Sequence, residues 1–421
     1  MINKMKKISL VLGLLGMALT STAFANEGPV PKGIHHLDHV FVIMMENTSY
    51  GQIINNPNAP FINSMAHSAN LATNYFAIGH PSLTNYLEVV GGSNFGIQSD
   101  NDPDWHNASC ITNLKSGIPN TTNPLSTSIC PIAGSGTDAE TPAIDASNET
   151  NVSFLNNIDG VQSIVAAHNI SGITIANQLV KAGLAWKSYQ EDLPVTGADL
   201  VNNSDGIYSN LTDFSQISPV LNPPLTSSGI VNLYAVKHNP FAYFKNIQDG
   251  TNLKSSLRNI VGFDGINGLY ADLATGHVPE FSFIAPNQCN DQHGQNNSGI
   301  FCKINPSPDG SQLGLNPALI KRGDVIVQKI VTAIKQSPVW KKGSNAIVVL
   351  WDENDYSVNP NINQVVLIVE TSYGFNEKQS AKRYNHFSLL KTIESGLKLP
   401  CLNHACDKDV QVMSDLFGTN N

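Results

Sequence analysis

Residues 346–351 read AIVVLW and run directly into Asp352-Glu353-Asn354-Asp355. An unbroken apolar run rich in β-branched residues suits a strand covered on both faces, as in a parallel sheet. The pattern recurs twice. HVFVIMM (39–45) runs into Glu46-Asn47, and FSFIAP (281–286) leads to Asn287, with Asp291 and His293 close behind. Further strand candidates lie at 184–189, 231–236 and 365–369. Helical patterns cover 82–90, 173–182, 319–336 and 386–397. In 319–336, Ile320, Val325, Val327, Ile330, Val331 and Ile334 recur near a 3.6-residue period, which gives one apolar face. Short strands alternating with helices predict an α/β fold with a mostly parallel central sheet and helices on both faces. In such sheets ligands bind at the carboxyl ends of the strands. Carboxylates far apart in sequence would therefore meet there.

Clustered Asp, Glu and Asn oxygens with a few His nitrogens form the ligand set of a hard or borderline divalent cation. Any one of these residues alone reads as a turn or cap. Three strands ending alike weaken that reading and leave a metal site and ordinary turn residues evenly balanced.

The chain has 421 residues, more than the ~100–200 of an ordinary domain. No clear internal boundary or repeat appears, so residues 26–421 read as one domain with loop insertions. The insertions are polar, turn-rich stretches at about 97–150 and 196–228, rich in Asn, Ser, Thr, Pro and Gly. Hydrophobic residues make up 41%, enough for a large core, while charged residues make up only 14%. Forty-eight asparagines supply much of the polarity. A net charge of −9 argues against nucleic acid as partner, which needs a basic face.

Residues 1–25 carry Lys4, Lys6 and Lys7, then an apolar run to about Leu19, then Ala23-Phe24-Ala25. This is the pattern of a cleaved signal peptide, and the run is too short for the ~20 residues of a spanning helix. The expected location is secreted, in the periplasm or outside the cell. Cleavage leaves 21 basic and 33 acidic residues, a net −12. Six cysteines in an exported chain favour disulfides, and nearest-neighbour pairing gives Cys110–Cys130, Cys289–Cys302 and Cys401–Cys406. A zinc-thiolate site is the weaker alternative, because no C-x₂-C pair occurs.

His80-Pro81-Ser82-Leu83-Thr84-Asn85-Tyr86-Leu87 places Ser82 at the start of a helix. The positive end of the helix favours an anion or an alkoxide there. A plain N-cap, for which Ser is a common choice, is the reading these residues alone favour. Among twelve histidines, His238 in YAVKHNPF follows a strand candidate, His293 follows Asp291 by two residues, and His386 opens a helix.

Eight segments taken together resemble the bacterial and fungal phosphoesterase family that contains secreted phospholipases C and acid phosphatases. They are VFVIMMENTSYG, HPSLTNYL, LAWKSYQEDLP, YAVKHNPFAYF, FSFIAPNQCNDQH, the Gly323-Asp324 helix start, AIVVLWDENDY and YNHFSLLKTIE. They follow the family's order across about residues 38–398. The resemblance implies an alkaline-phosphatase-like three-layer sandwich with metal at the strand ends. It implies Glu46, Asn47, Asp352 and Glu353 as metal ligands and Ser82 as a metal-held nucleophile. His238, Asp291, His293 and His386 would line the phosphate and leaving-group side, or hold a second metal. Zinc is the first expectation for the metal, with manganese or calcium as alternatives. Two positions depart from the family's usual pattern: Thr84 stands where Pro is common, and Gly294 where Asp is common.

The implied chemistry attacks phosphorus with the serine alkoxide and protonates the leaving oxygen from His293 or His386. A phospholipase C acting on phosphatidylcholine-like lipids is the first expectation. Such an enzyme would touch zwitterionic membranes transiently, and Trp105, Trp186 and Tyr189 are candidates for a choline cage. An acid phosphatase on phosphomonoesters is the alternative. A silent lipid- or sugar-binding surface protein is the reading from another class.

Overall fold

His39–Met45 and Asn345–Trp351 are buried along almost their whole length. Side chains alternate between the two faces of a strand, so complete burial means that both faces are covered. The structure is a computed structural model that describes residues 27–97, 170–193, 234–248, 250–294, 317–354, 362–374 and 376–418. Its strands are β1 (His39–Met45), β2 (Asn70–Ala72), β3 (Tyr75–Phe76), β4 (Trp186–Gln190), β5 (Ile260–Gly262), β6 (Phe281–Ala285), β7 (Asn345–Trp351), β8 (Leu367–Thr371), β9 (Gln379–Ser380) and β10 (Tyr384–Asn385). One sheet has the order β5-β4-β6-β1-β7-β8-β2-β9. From β5 to β7 every pairing is parallel; β8 runs antiparallel to β7 and β2. The α/β fold with a mostly parallel sheet is therefore present. The carboxyl ends of β4, β6, β1 and β7 share one edge.

Two groups of helices supply the covering layers. Ser82–Gly91 packs on His386–Leu397 and Ile175–Ala182, while Pro317–Gln336 packs on Pro60–Ser68 and Leu269–Thr275. Local signals set their ends. Thr174 accepts the Ala176 N–H before Ile175–Ala182, and Gly183 closes that helix in the left-handed region at φ 80°. Asn385 caps His386–Leu397 by accepting the Ser388 N–H at 3.0 Å.

Several expectations are corrected. The stretch expected as a strand at 231–236 has no strand among its described residues; Val236–His238 is a 3₁₀ turn, held by bonds from His238 N–H to Ala235 O and from Asn239 N–H to Val236 O. Gly323 and Asp324 lie in the second turn of Pro317–Gln336 and not at its start. Val325 is 51% exposed, on the opposite side of that helix from Ile320, Val327, Ile330, Val331 and Ile334. Cys401–Cys406 is a disulfide with Cα atoms 5.2 Å apart. Cys289 is disulfide-bonded as well. Cys110, Cys130 and Cys302 lie outside the described residues, as do residues 1–25, Trp105 and both polar insertions apart from Ile97. Among the described residues no helix is long and apolar enough to cross a membrane.

Glu394, on His386–Leu397, gives a pH prediction. It is buried, its Oε1 accepts the Leu402 N–H at 2.9 Å, and burial raises its pKa well above the ordinary value. Between the unfolded pKa and the raised folded one, the native state holds more protons than the unfolded chain. Stability from this group therefore falls as pH rises through that window. Glu394→Gln should raise the unfolding free energy at pH 7 by about 1 kcal/mol or more and make little difference near pH 4. Urea melts at the two pH values check this, and an equal effect at both would refute it.

Candidate active site

Ser82 is the first residue of helix Ser82–Gly91, with Pro81 before it at the N-cap position. Its hydroxyl does not cap the helix. Ser82 Oγ lies 3.0 Å from Glu46 Oε2 and 3.2 Å from Glu353 Oε1. Ser82 and Glu46 are fully buried and Glu353 is nearly so. The cap reading of Ser82 thus gives way to a contact among three chain segments.

The carboxylates arrive from two adjacent strands. β1 ends at Met45, and Glu46 follows; Asn47 turns the chain at φ 50°, a region Asn tolerates better than most residues. Its N–H donates to Asp352 Oδ1 at 3.0 Å, and the Asp352 N–H donates to Met45 O at 3.0 Å. The two strand ends are thus tied together where their acidic residues begin. From β6 comes Asp291, whose carbonyl accepts the Glu46 N–H at 2.9 Å.

His238 lies between two of these acids. Its Nε2 is 3.2 Å from Glu46 Oε1, and its Nδ1 is 3.3 Å from Asp291 Oδ2. Its ring stacks on Tyr86, with centroids 5.2 Å apart and planes 10° apart. Asp291 Oδ1 accepts the His293 N–H at 2.7 Å, and His293 Nδ1 donates to Gly294 O at 2.9 Å. The His238 and His293 rings are 6.0 Å apart.

His386 is placed differently. Its Nε2 donates to Asp352 O at 2.7 Å, and its Nδ1 accepts from the Tyr75 hydroxyl at 2.9 Å. Burial lowers its pKa to about 4, so it is neutral at neutral pH. With both nitrogens engaged inside the fold, His386 holds the turn that presents Asp352 and Glu353.

Four participants are not apparent from residue type and position alone. His80 Nδ1 is 2.7 Å from Glu353 Oε2. Asn85 donates to the same oxygen at 3.1 Å and accepts from the N–H groups of Ile78 and Gly79. Both stand in the quoted HPSLTNYL segment, so their spacing from Ser82 was the available signal. Tyr86 carries the ring on which His238 stacks, and the charge of Lys237, 3% exposed, opposes the rise that burial imposes on the pKa values of Glu46 and Asp291. At the departing position Thr84, the hydroxyl donates to Pro81 O at 2.8 Å.

The electrostatics of the cluster bear on a cation. Glu46 has its pKa raised well above the ordinary carboxylate value by burial first, then by Asp352 and Asp291. Burial likewise raises Asp291. A serine hydroxyl has one hydrogen, yet two carboxylate oxygens face it. The second contact therefore needs a proton on a carboxylate or a cation among the oxygens. Among the described residues no three His, Cys, Asp or Glu side chains converge on one point at metal-holding distance. The carboxylates are drawn onto Ser82 and the imidazoles instead. The donor chemistry fits a divalent cation, because the buried carboxylates of Glu46, Asp291, Asp352 and Glu353 gather with imidazoles, the oxygen and nitrogen donors such a cation takes.

Residues 54–300 match the family model of the Phosphoesterase family. The chain belongs to that family. Ser82, His238, Asp291 and His293 fall within the matched stretch; Glu46, Asp352, Glu353 and His386 flank it. A phosphatidylinositol-3-phosphatase of Mycobacterium tuberculosis is 22% identical over 97% of this chain and 93% of its own. An acid phosphatase of Aspergillus fumigatus is 24% identical over 61% of this chain, and a phosphate-repressible acid phosphatase of Penicillium chrysogenum is 24% identical over 62%. These matches span only 36% and 40% of the two fungal proteins. A solved protein of the alkaline phosphatase superfamily from Vibrio parahaemolyticus is 12% identical, with a TM-score of 0.41, over 88% of this chain and 69% of its own. Family membership makes this protein a phosphoric ester hydrolase.

Proposed function

We propose that the protein hydrolyses phosphomonoesters, soluble or lipid-borne, through Ser82 as nucleophile. The observation that carries this reading is the buried Ser82 hydroxyl between Glu46 and Glu353 at the first position of a helix. A carboxylate there can take the hydroxyl proton, and the helix N-terminus favours both the alkoxide and phosphate oxygens. Oγ attacks phosphorus, the ester P–O bond breaks, and the leaving oxygen takes a proton. His293 is the better donor of that proton, since His386 is committed to Tyr75 and the Asp352 carbonyl. His238, braced by Glu46 and Asp291, holds the phosphate side. Water then cleaves the phosphoserine Oγ–P bond. Glu46, Asn47, Asp352 and Glu353, with Ser82, are the residues that would hold a divalent cation, zinc first and manganese or calcium otherwise. When bound, it would lower the serine pKa and offset the phosphate charge.

Phospholipase C action on phosphatidylcholine-like lipids, put first from sequence, becomes the second reading. Two of its three cage candidates lie in the core: Trp186 and Tyr189 are fully buried on β4. Trp186 Nε1 donates to Lys254 O at 3.2 Å, and the Tyr189 hydroxyl donates to Asp272 at 2.7 Å. The relative that spans nearly the whole chain is named for a phosphatase acting on a phosphoinositide, which favours a monoester carried by a lipid. Export through residues 1–25 and transient contact with membranes are parts of the same proposal.

A substrate panel tests it. The purified protein is given p-nitrophenyl phosphate, vesicles containing phosphatidylinositol 3-phosphate, and p-nitrophenyl phosphorylcholine, each with and without chelator. Turnover of the monoesters that stops on chelation and returns with zinc, manganese or calcium is the expected result. Faster turnover of the choline diester would restore the phospholipase C reading. Undiminished rates in chelator would remove the cation.

A further inference from the structure

Between Asp291 and His293 stands a residue that the proposed chemistry does not use. Gln292 is fully buried, and its backbone sits at φ 88°, which side-chain-bearing residues rarely adopt. Such strain persists only where the surroundings over-determine it, and it gathers at functional sites. The surroundings here are specific. Gln292 Oε1 accepts the indole N–H of Trp351 at 2.9 Å, and Nε2 donates to the Ile320 carbonyl at 3.1 Å. Trp351 is the last residue of β7, directly before Asp352 and Glu353. Ile320 belongs to helix Pro317–Gln336, and Gly323, one turn on, lies against the same amide. A Cβ at residue 323 would overlap the Gln292 side chain. One side chain thus joins the loop after β6, the end of β7 and the covering helix.

We infer that Gln292 is a positioning residue that sets the Asp291–His293 pair against Glu46 and His238. A residue in the left-handed region brings its two neighbours onto a tight turn. Here that turn lets Asp291 accept the His293 N–H while its other oxygen faces His238. The amide locks the turn, because both of its hydrogen-bonding ends are satisfied by groups in rigid elements. Gly323 belongs to the same device, since the helix must come close enough for Ile320 to accept. The inference rests on the phosphoester reading and names how that site is held.

The test is a kinetic double-mutant cycle on the whole protein, with p-nitrophenyl phosphate as substrate. Gln292→Met keeps the volume and removes both hydrogen bonds. It should lower kcat about tenfold or more while KM stays within about twofold, the signature of a lost transition-state arrangement. In an Asp291→Asn background the same change should lower kcat less than about twofold, because the pair it positions is already impaired. Gly323→Ala perturbs Gln292 from the helix side and should show the same loss of effect, which covers the case that Gln292→Met does not fold. Equal fold-losses in both backgrounds, or a fall in melting temperature with unchanged kcat, would overturn the inference and leave the phosphoester reading intact. No turnover of phosphate esters by the unaltered protein would overturn both.

Discussion

Ser82→Ala is expected to lower kcat/KM on phosphomonoesters by about a thousandfold or more, with the melting temperature nearly unchanged. The size follows from the role: without the hydroxyl no covalent intermediate can form, and only binding and electrostatic stabilisation remain. The small effect on folding follows from the surroundings. Ala is a good residue for the first helical turn, and Pro81 already occupies the cap position. The hydroxyl that disappears faces Glu46 and Glu353, a pair of carboxylates, and among the described residues no backbone N–H donates to it. Steady-state kinetics beside a thermal melt measures both. A loss smaller than tenfold would mean that water attacks phosphorus directly and that Ser82 only binds.

Much of the fold could be read because its central elements obey one simple pattern. β1 and helix His386–Leu397 have the limits expected from sequence, since each is a clean apolar run or period with a clear boundary. The acidic strand ends were legible for the same reason: β1 and β7 stop where apolar residues give way to Glu46 and Asp352. Short elements were not legible. β2 and β5 have three residues each and owe their existence to neighbouring strands. Alternation around Tyr234-Ala235-Val236 imitates a strand, but local bonds three residues apart and the nearby Pro240 favour a 3₁₀ turn. Val325 matched the helical period loosely and lies on the solvent side.

Within the site, residue types were legible and their pairings were not. A place for His386 at the site followed from the family resemblance; its partners, Tyr75 and the Asp352 carbonyl, come from segments remote in sequence. Gln292 carried no signal at all, because a glutamine between an aspartate and a histidine has many ordinary explanations. Only the indole of Trp351 and the carbonyl of Ile320 give it meaning.

Glu46→Gln should abolish turnover and at the same time make the chelated protein more stable. Glu46 is fully buried, and burial, Asp352 and Asp291 all oppose its charge. A neutral amide of nearly the same shape removes that repulsion. It also keeps an acceptor for the Ser82 hydroxyl and a polar group opposite His238 Nε2. The gain in chelator should be about 1 kcal/mol or more, or about 2 °C or more in melting temperature. The loss of kcat/KM should reach about a thousandfold, since the same carboxylate is asked to take a proton and to hold a cation. Adding zinc or manganese supplies the discriminating comparison. A cation that binds the folded state raises the melting temperature by mass action, so the unaltered protein should gain stability on metal addition and the variant should gain little. If both gain equally, Glu46 is not a ligand and its raised pKa belongs to a proton shared with Ser82. If the variant is less stable in chelator, the buried carboxylate is a net stabilising partner of His238 and not the strained element of the site.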